Sequence, residues 1–280
     1  MKRNTSLLLA GVLILAVFLS ACNQEQAMPI PSDPVEAFKL IADKQQSVTS
    51  GHVDINLTAK IKAQGDDPSL ALFKDLDIKG DATGDYDSKA SNVQLSGSLD
   101  LGALTGLVSN GKDKITFDLR QVGDTLYTRA LDQQWNESPA GNLSFSTDNQ
   151  NKTDATNPAA LMAVFKEVAQ AERLGDEAVD GTNTYHFKVS IDPAKLMGVA
   201  RLSNQANKDQ LKAVQDLLKD SKFELELWAG KADLLARQEK LHILLDIKQI
   251  PNQPNTTLFV DLNLIFKLGK INQPVTISKP

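Results

Sequence analysis

The sequence contains little of the chemistry that catalytic or metal sites require. It has a single cysteine, Cys22, and only three histidines among 280 residues. One thiol cannot close an internal disulfide or build a cysteine zinc site, and three histidines offer little material for a transition-metal site. We therefore expect no cofactor and no resident metal.

Positive charge is also scarce. Lysine and arginine number 30 against 35 aspartates and glutamates, which gives a formal net charge of −5. A mildly acidic chain with scattered charges is poorly suited to hold the phosphates of a nucleic acid. With 41% hydrophobic and 23% charged residues the composition is otherwise near the globular average. This excludes a disordered chain, a collagen and a multi-span membrane protein.

The first 21 residues have the form of an export signal. Lys2 and Arg3 give a positive start, and an apolar run follows from Leu7 to Leu19. That run is shorter than the roughly 20 residues needed to cross a bilayer, which is typical of a cleaved secretory signal. The sequence thus predicts an exported protein from which residues 1–21 are removed.

The end of this signal, Leu19-Ser20-Ala21-Cys22, resembles the bacterial lipobox. The resemblance implies cleavage before Cys22, a diacylated Cys22 thiol and a new amine open to acylation. Two or three acyl chains anchor a protein stably, since each buried methylene contributes roughly 0.8 kcal/mol. We expect lipidation at Cys22 and anchoring to the outer side of the cell membrane, or to an outer membrane. The alternative is an ordinary signal peptide that happens to end near a cysteine.

The rest of the chain divides into a tether and one domain. Residues 22–34 are the acylated N-terminus and a polar segment interrupted by Pro29, Pro31 and Pro34, which is typical of a flexible tether. Residues 35–280 are predicted to form a single domain.

Helix signals occur at several positions. Asp33 before Pro34, and Asn157 before Pro158, each place a capping side chain next to a proline at the first helical position. An apolar stripe at helical spacing follows each of them. Further amphipathic helices are predicted from Asp192-Pro193 and over 207–219, so each helix has one face to cover a neighbouring surface.

Most of the remaining domain alternates between apolar and polar residues. Val53, Ile55, Leu57, Ala59 and Ile61 occupy odd positions with polar residues between them. A period of two predicts half-buried strands, and one-sided strands indicate an antiparallel sheet with one dry face. The alternation recurs in 76–86, 93–101, 115–119, 185–191, 223–227, 241–247 and 258–264. We predict an α+β fold, in which a large curved antiparallel β-sheet (a half-barrel) carries a few amphipathic helices on its concave face.

Small residues stand at several apolar-phase positions of this sheet, namely Gly80, Ala82, Gly84 and Gly97. Small inward residues let a sheet bend and leave volume unfilled. The alternative is that larger side chains opposite them fill that volume.

No catalytic constellation is recognisable. The sequence has no Gly-x-Ser-x-Gly, no phosphate-binding glycine loop, no His-Glu-x-x-His and no calcium loop. The spaced pairs Asp75 with Asp77 and Asp85 with Asp87 fall on the polar face, which is typical of a solvated acidic stripe. We therefore expect that the protein is not an enzyme.

The histidines and tryptophans also favour structural roles. His52, His186 and His242 lie in the polar phase of their strands, so we expect them on the water-facing surface. Trp135 and Trp228 are expected to pack at sheet edges.

Several stretches of the second half resemble a known family. They are 179–187 (VDGTNTYHF), 192–196 (DPAKL), 225–238 (LELWAGKADLLARQ) and 269–280 (GKINQPVTISKP). Together with the lipobox and the long strands, they resemble the LppX/LprG-type lipoproteins of the LolA/LolB-like superfamily of lipoprotein carriers. The resemblance covers roughly 35–280 in layout. It implies a half-barrel around helices, an apolar cavity for acyl chains and no catalytic residues.

The resemblance carries over only a class of position for ligand binding, the apolar inward residues of the strands. The predicted cavity wall is drawn from Val53, Ile55, Leu57, Ile78, Leu95, Leu99, Phe117, Phe187, Val189, Leu225, Leu227, Ile243 and Leu245. The glycine-rich apolar stretch Gly97–Gly111 is expected to be either a mobile cavity mouth or a simple buried strand end.

We therefore expect a monomeric, membrane-anchored bacterial lipoprotein that binds and transfers acyl-chain lipids or lipidated cargo in the cell envelope. The ligand would be an acyl lipid, a glycolipid or a lipoprotein. The alternative is a non-enzymatic structural or interaction lipoprotein with a solid core. A hydrolase would require a pocket that holds a titratable group with a perturbed pKa.

Overall fold

The computed structural model describes residues 26–109, 111–140, 169–191, 216, 218–248 and 255–280. The predicted signal peptide and Cys22 lie outside these ranges, as do the helices predicted from Asn157 and Asp192. Of the helix predicted over 207–219, the described positions Asp216 and Leu218 are helical, and Lys219 lies in a turn.

The described domain consists mainly of long strands. The helices are α1 (Pro34–Gln45) and the short α2 (Thr105–Val108), and 3₁₀ turns cover Pro68–Phe73 and Gly102–Leu104. The strands are β1 (Ser50–Gln64), β2 (Leu76–Asp87), β3 (Asn92–Asp100), β4 (Ile115–Val122), β5 (Thr125–Ala130), β6 (Asn136–Pro139), β7 (Ala169–Val179), β8 (Thr182–Ile191), β9 (Lys222–Gly230), β10 (Ala236–Ile247) and β11 (Thr257–Gly269).

All of these strands join one antiparallel sheet of 11 strands. Their order is β6-β5-β4-β3-β2-β1-β11-β10-β9-β8-β7, so two meanders meet where β1 pairs with β11. The edge strands β6 and β7 are at opposite sides of the order, which leaves the sheet open. The predicted α+β fold, a large antiparallel half-barrel sheet with helical cover, is confirmed.

Helix α1 begins where the sequence predicts. The Asp33 carboxylate accepts hydrogen bonds from the backbone N–H groups of Val35 and Glu36 at 2.7 and 3.2 Å, and Pro34 stands in the first turn. The carboxylate thus satisfies two backbone N–H donors that have no partner inside the helix. None of the described helices is long and apolar enough to cross a bilayer.

One face of α1 covers part of the sheet. Phe38 and Ile41 have no exposed surface, and Ala37 and Ala42 beside them are buried. They form one apolar core with side chains of β8, β9, β10 and β11, including Tyr185, Phe187, Val189, Leu225, Leu227, Leu241 and Leu268. Burying apolar area of this kind stabilises the folded state by roughly 25 cal/mol per Å². It holds α1 against strands β8 to β11.

The sheet has two distinct ends. At one, which we call the helix end, lie the start of β1, the end of β11 and the β7–β8 and β9–β10 turns. The Gln45 side-chain carbonyl, at the last turn of α1, accepts a buried hydrogen bond of 3.0 Å from the Ala236 N–H. At the other, which we call the loop end, lie the 3₁₀ turns Pro68–Phe73 and Gly102–Leu104 and helix α2.

Part of the predicted tether is attached to the helix end. The Met28 N–H donates to the Lys231 carbonyl at 2.7 Å, and the Tyr185 hydroxyl donates to the Met28 carbonyl at 2.9 Å. Met28 and Ile30 also pack against the apolar core. The chain is therefore fixed to the domain from Met28 onwards, before α1 begins.

Candidate functional site

The pairing register places most apolar residues of β1 to β4 and of β8 to β11 on one face of the sheet. Directly opposed residues in antiparallel strands point to the same side. One such row runs from Leu227 on β9 through Phe266 and Ile55 to Phe117 on β4. We call this side the inner face. It carries every predicted wall residue: Val53, Ile55, Leu57, Ile78, Leu95, Leu99, Phe117, Phe187, Val189, Leu225, Leu227, Ile243 and Leu245.

The inner face is divided by what α1 covers. Phe187, Val189, Leu225 and Leu227 are at most 2% exposed and belong to the core beneath α1. These positions contribute to packing in the structure. The other predicted wall residues keep partial exposure, and we call them the apolar wall: Val53, Ile55, Leu57, Ile78, Leu95, Leu99, Phe117, Ile243 and Leu245.

The space above the small inner-face residues is largely occupied. A Cβ placed on Gly97 would lie 2.7 Å from the ring of Phe117, and one on Gly80 would lie 3.1 Å from Leu99. Large neighbours therefore fill the volume that these glycines leave, which is the second of the two possibilities raised by the sequence. The apolar wall itself keeps exposed apolar surface that a ligand can contact.

The stretch Gly97–Gly111 is a strand end followed by a compact turn. After β3 the Asp100 carboxylate accepts hydrogen bonds from the Gly102 N–H at 2.8 Å and the Thr105 hydroxyl at 2.9 Å. These bonds lower the pKa of Asp100 below its usual value. Val108 at the end of α2 is 52% exposed.

The inner face also carries an ionisable residue, Glu239, that the sequence analysis did not predict there. Glu239 on β10 pairs with Leu227 and Phe266, is 2% exposed, and has a buried Oε1 with no hydrogen-bond partner in the described structure. Burial raises its pKa to about 8, so the carboxyl is mainly neutral at pH 7. Burial and, secondarily, Glu239 raise the pKa of Tyr86 to about 12. The odd-position phase of Leu241 and Ile243 could have identified Glu239 as inward.

His186 corrects the prediction that all three histidines face water. It lies on the outer face as expected but is only 6% exposed, because the ring of Trp228 stacks on it with centroids 4.1 Å apart. Its ring nitrogens lie 3.1 Å from Glu177 and 3.2 Å from Glu226. The Trp228 N–H donates to Glu177 at 2.9 Å, which lowers the pKa of that carboxyl.

The remaining predictions concern the two tryptophans and the other two histidines. Trp228 packs as predicted but lies on β9 inside the sheet, so its placement at an edge is wrong. Trp135 does precede edge strand β6, with the Arg129 guanidinium 4.9 Å above its ring. His52 and His242 are partly exposed and lie beside Asp85 and Asp261, at 2.8 and 3.0 Å. In the described ranges no group of three or more histidines, cysteines or acids is arranged to hold a metal.

The helix end contains a polar cavity of ≈ 360 Å³, distinct from the apolar wall. Its charged groups are mostly paired. Lys267 lies 3.2 Å from Asp180, and Arg237 is paired with Asp233. This lining suits water and ions better than hydrocarbon. The apolar wall is therefore the candidate functional site.

Several solved structures are similar to the chain at low sequence identity. No family model and no curated protein sequence matches the chain. The structure is similar to the lipoprotein LppX of Mycobacterium tuberculosis, with 13% identity, 86% of this chain and 98% of that chain covered, and a TM-score of 0.39. The structure is also similar to LprF of Mycobacterium bovis, with 14% identity, 89% of this chain and 99% of that chain covered, and a TM-score of 0.44.

A further match is a putative outer membrane lipoprotein-sorting protein domain of Vibrio parahaemolyticus. It has 8% identity, covers 86% of this chain and 95% of that chain, and gives a TM-score of 0.23.

Proposed function

We propose that the protein is a membrane-anchored bacterial lipoprotein, acylated at Cys22, whose apolar wall binds the acyl chains of lipids or lipidated cargo and transfers them within the cell envelope. The observation that carries this proposal is the continuous inner face. Apolar side chains from β1 to β4, β10 and β11 stand next to one another there and retain exposed surface. An extended apolar surface of this kind is typical of a binding site for an apolar partner.

The free energy of moving an alkyl chain is compatible with a role in lipid transfer. Moving an alkyl chain from water to a protein surface gains roughly 0.8 kcal/mol per methylene. Moving it from a bilayer gains little, because the chain is already in hydrocarbon. Uptake from a membrane is therefore nearly balanced, and a small change in the protein is enough to load or release the ligand.

A charge on the apolar wall tests the proposal. Leu57→Lys places an ammonium on the inner face, and Thr58→Lys places the same group on the exposed outer face one residue later. We expect Leu57→Lys to weaken uptake of a fluorescent C16 fatty-acyl probe at least 10-fold, because a charge must be desolvated when hydrocarbon covers it. The mature chain, residues 22–280 carrying Cys22→Ser, is used, so that the apolar run Leu7–Leu19 cannot itself bind the probe. Probe fluorescence is the readout, and thermal melting is the check on folding.

Thr58→Lys should bind the probe like the parent chain. Extraction of the purified protein and mass spectrometry should also recover acyl lipids from the parent chain. Absence of any acyl lipid and of probe uptake would refute the proposal, and equal loss in both lysine variants would place the binding surface elsewhere.

A second candidate is an envelope lipoprotein with a solid interior that presents its polar face to a protein or glycan. The filling of the glycine positions by Phe117 and Leu99 favours it. A parent chain that stays folded and binds no acyl probe would support this candidate.

A further inference from the structure

Large exposed apolar side chains are concentrated at the loop end. Among the described residues, Leu72 is 55% exposed, Phe73 39%, Val108 52% and Leu174 45%. The first three lie at the loop end, while Leu174 lies midway along edge strand β7. Exposed apolar residues that cluster in this way, unlike single ones, mark an interaction surface.

The clustered residues belong to two neighbouring turns. Leu72 and Phe73 end the 3₁₀ turn between β1 and β2, and Val108 ends α2, which follows β3. A groove of ≈ 470 Å³ joins the turns, with Leu72 on one side and Ala103 and Leu104 on the other. We call Leu72, Phe73 and Val108, with this groove between the turns, the apolar rim.

Lysines stand next to the apolar rim. Lys62 and Lys74 line the same groove, together with Asp75. Lys62 reaches Asp75 only at 4.0 Å, and Lys74 is exposed and pairs with no acid among the described residues. An apolar tip with lysines beside it matches the layering of a lipid surface, because long lysine stems can hold their ammonium groups among phosphates while apolar side chains enter beneath them.

We propose that the apolar rim docks on a phospholipid bilayer, with Leu72, Phe73 and Val108 entering the interface and Lys74 facing the lipid phosphates. This surface goes beyond the proposed function: it requires neither acylation of Cys22 nor uptake of an acyl chain. Its apolar residues lie in turns outside the apolar wall, so the two surfaces can be changed separately.

Vesicle sedimentation tests the proposal. The mature chain, residues 22–280 carrying Cys22→Ser, is mixed with phosphatidylcholine vesicles, and the bound fraction is measured against lipid concentration. Without residues 1–21, the apolar run Leu7–Leu19 cannot itself bind the vesicles. Changing both Leu72→Asp and Phe73→Asp is expected to weaken binding at least 10-fold, because two apolar side chains no longer enter the interface. Leu174→Asp is the matched control, since it removes an equally exposed leucine far from the rim, and it should leave binding unchanged.

A second measurement tests the role of Lys74. On vesicles that contain phosphatidylglycerol, Lys74→Ala should weaken binding about 5-fold, as expected for one cation at an anionic lipid surface. Equal losses from the rim and Leu174 variants, or no binding of the folded parent chain to either vesicle, would overturn the proposal and leave the rim as a surface for a protein. Uptake of the acyl probe is measured in parallel, so loss of vesicle docking is distinguishable from loss of chain binding.

Discussion

The unfolding free energy of the protein is expected to fall steeply as the pH rises from about 5 to 8, and Glu239→Gln is expected to remove most of that fall. Glu239 has a pKa of about 8 when buried in the folded chain, against an ordinary value of 4.5. Between these values the unfolded chain has lost a proton that the folded chain keeps. The buried acid therefore favours folding fully only below pH 4.5, and this contribution is lost as the pH approaches 8.

The size of this pH dependence follows from the difference between the pKa of Glu239 in the folded and in the unfolded chain. Each pH unit in this window lowers the unfolding free energy by about 1.4 kcal/mol, so the range from pH 5 to pH 8 is worth about 4 kcal/mol. Urea denaturation of the Cys22→Ser chain at pH 5, 6, 7 and 8 measures it. Glutamine has nearly the shape of the neutral carboxyl but does not titrate, so the parent and Glu239→Gln curves should diverge with pH.

Glu137→Gln is the control for this experiment. Glu137 is exposed on edge strand β6 and makes no described ion pair, so its loss should leave the pH dependence of the parent chain intact. Parallel curves for the parent and Glu239→Gln would show that the Glu239 carboxyl is not held neutral in the folded protein.

Gly84→Ala is expected to destabilise the protein by about 3 kcal/mol. An added Cβ would collide with the backbone carbonyl of Gln94 on the neighbouring strand β3. A backbone atom in a paired strand cannot rotate away as a side chain can, so the two strands would have to separate locally. Chemical denaturation at one pH gives the change directly.

Gly106→Ala provides the matched control. Gly106 lies in α2 with nothing within 4 Å of an added Cβ, and alanine favours helix more than glycine does. It should be neutral or slightly stabilising. If Gly84→Ala left the unfolding free energy unchanged, β2 and β3 would not approach each other as closely at Gly84 as the structure shows.

The parts of the fold that local sequence encodes were predictable. The cap at Asp33 with Pro34 marked the start of α1, and the alternation from Val53 to Ile61 marked both β1 and its inward face. These signals depend on residues that are close in the chain. The pairing of β1 with β11 was not predictable in the same way, because it joins residues more than 190 positions apart and leaves no local pattern.

The surroundings of individual side chains were also beyond local reasoning. The phase of β8 places His186 on the outer face, but its burial depends on Trp228 of the adjacent strand. Similarly, the space above Gly97 depends on Phe117, which reaches it from β4. The wall positions could be assigned to a face from sequence, whereas the part of that face covered by α1 became visible only in three dimensions.

The attachment of Met28 sets a limit on how the molecule can be oriented. The chain from Cys22 to Met28 spans at most roughly 20 Å when fully extended. A lipid on Cys22 would keep the Lys231 turn within that distance of the supporting leaflet. Strand β1, with its 15 residues, is about 50 Å long and separates that turn from Leu72 and Phe73. A molecule standing upright would therefore act as a short bridge, held at its base and reaching a facing surface with its tip.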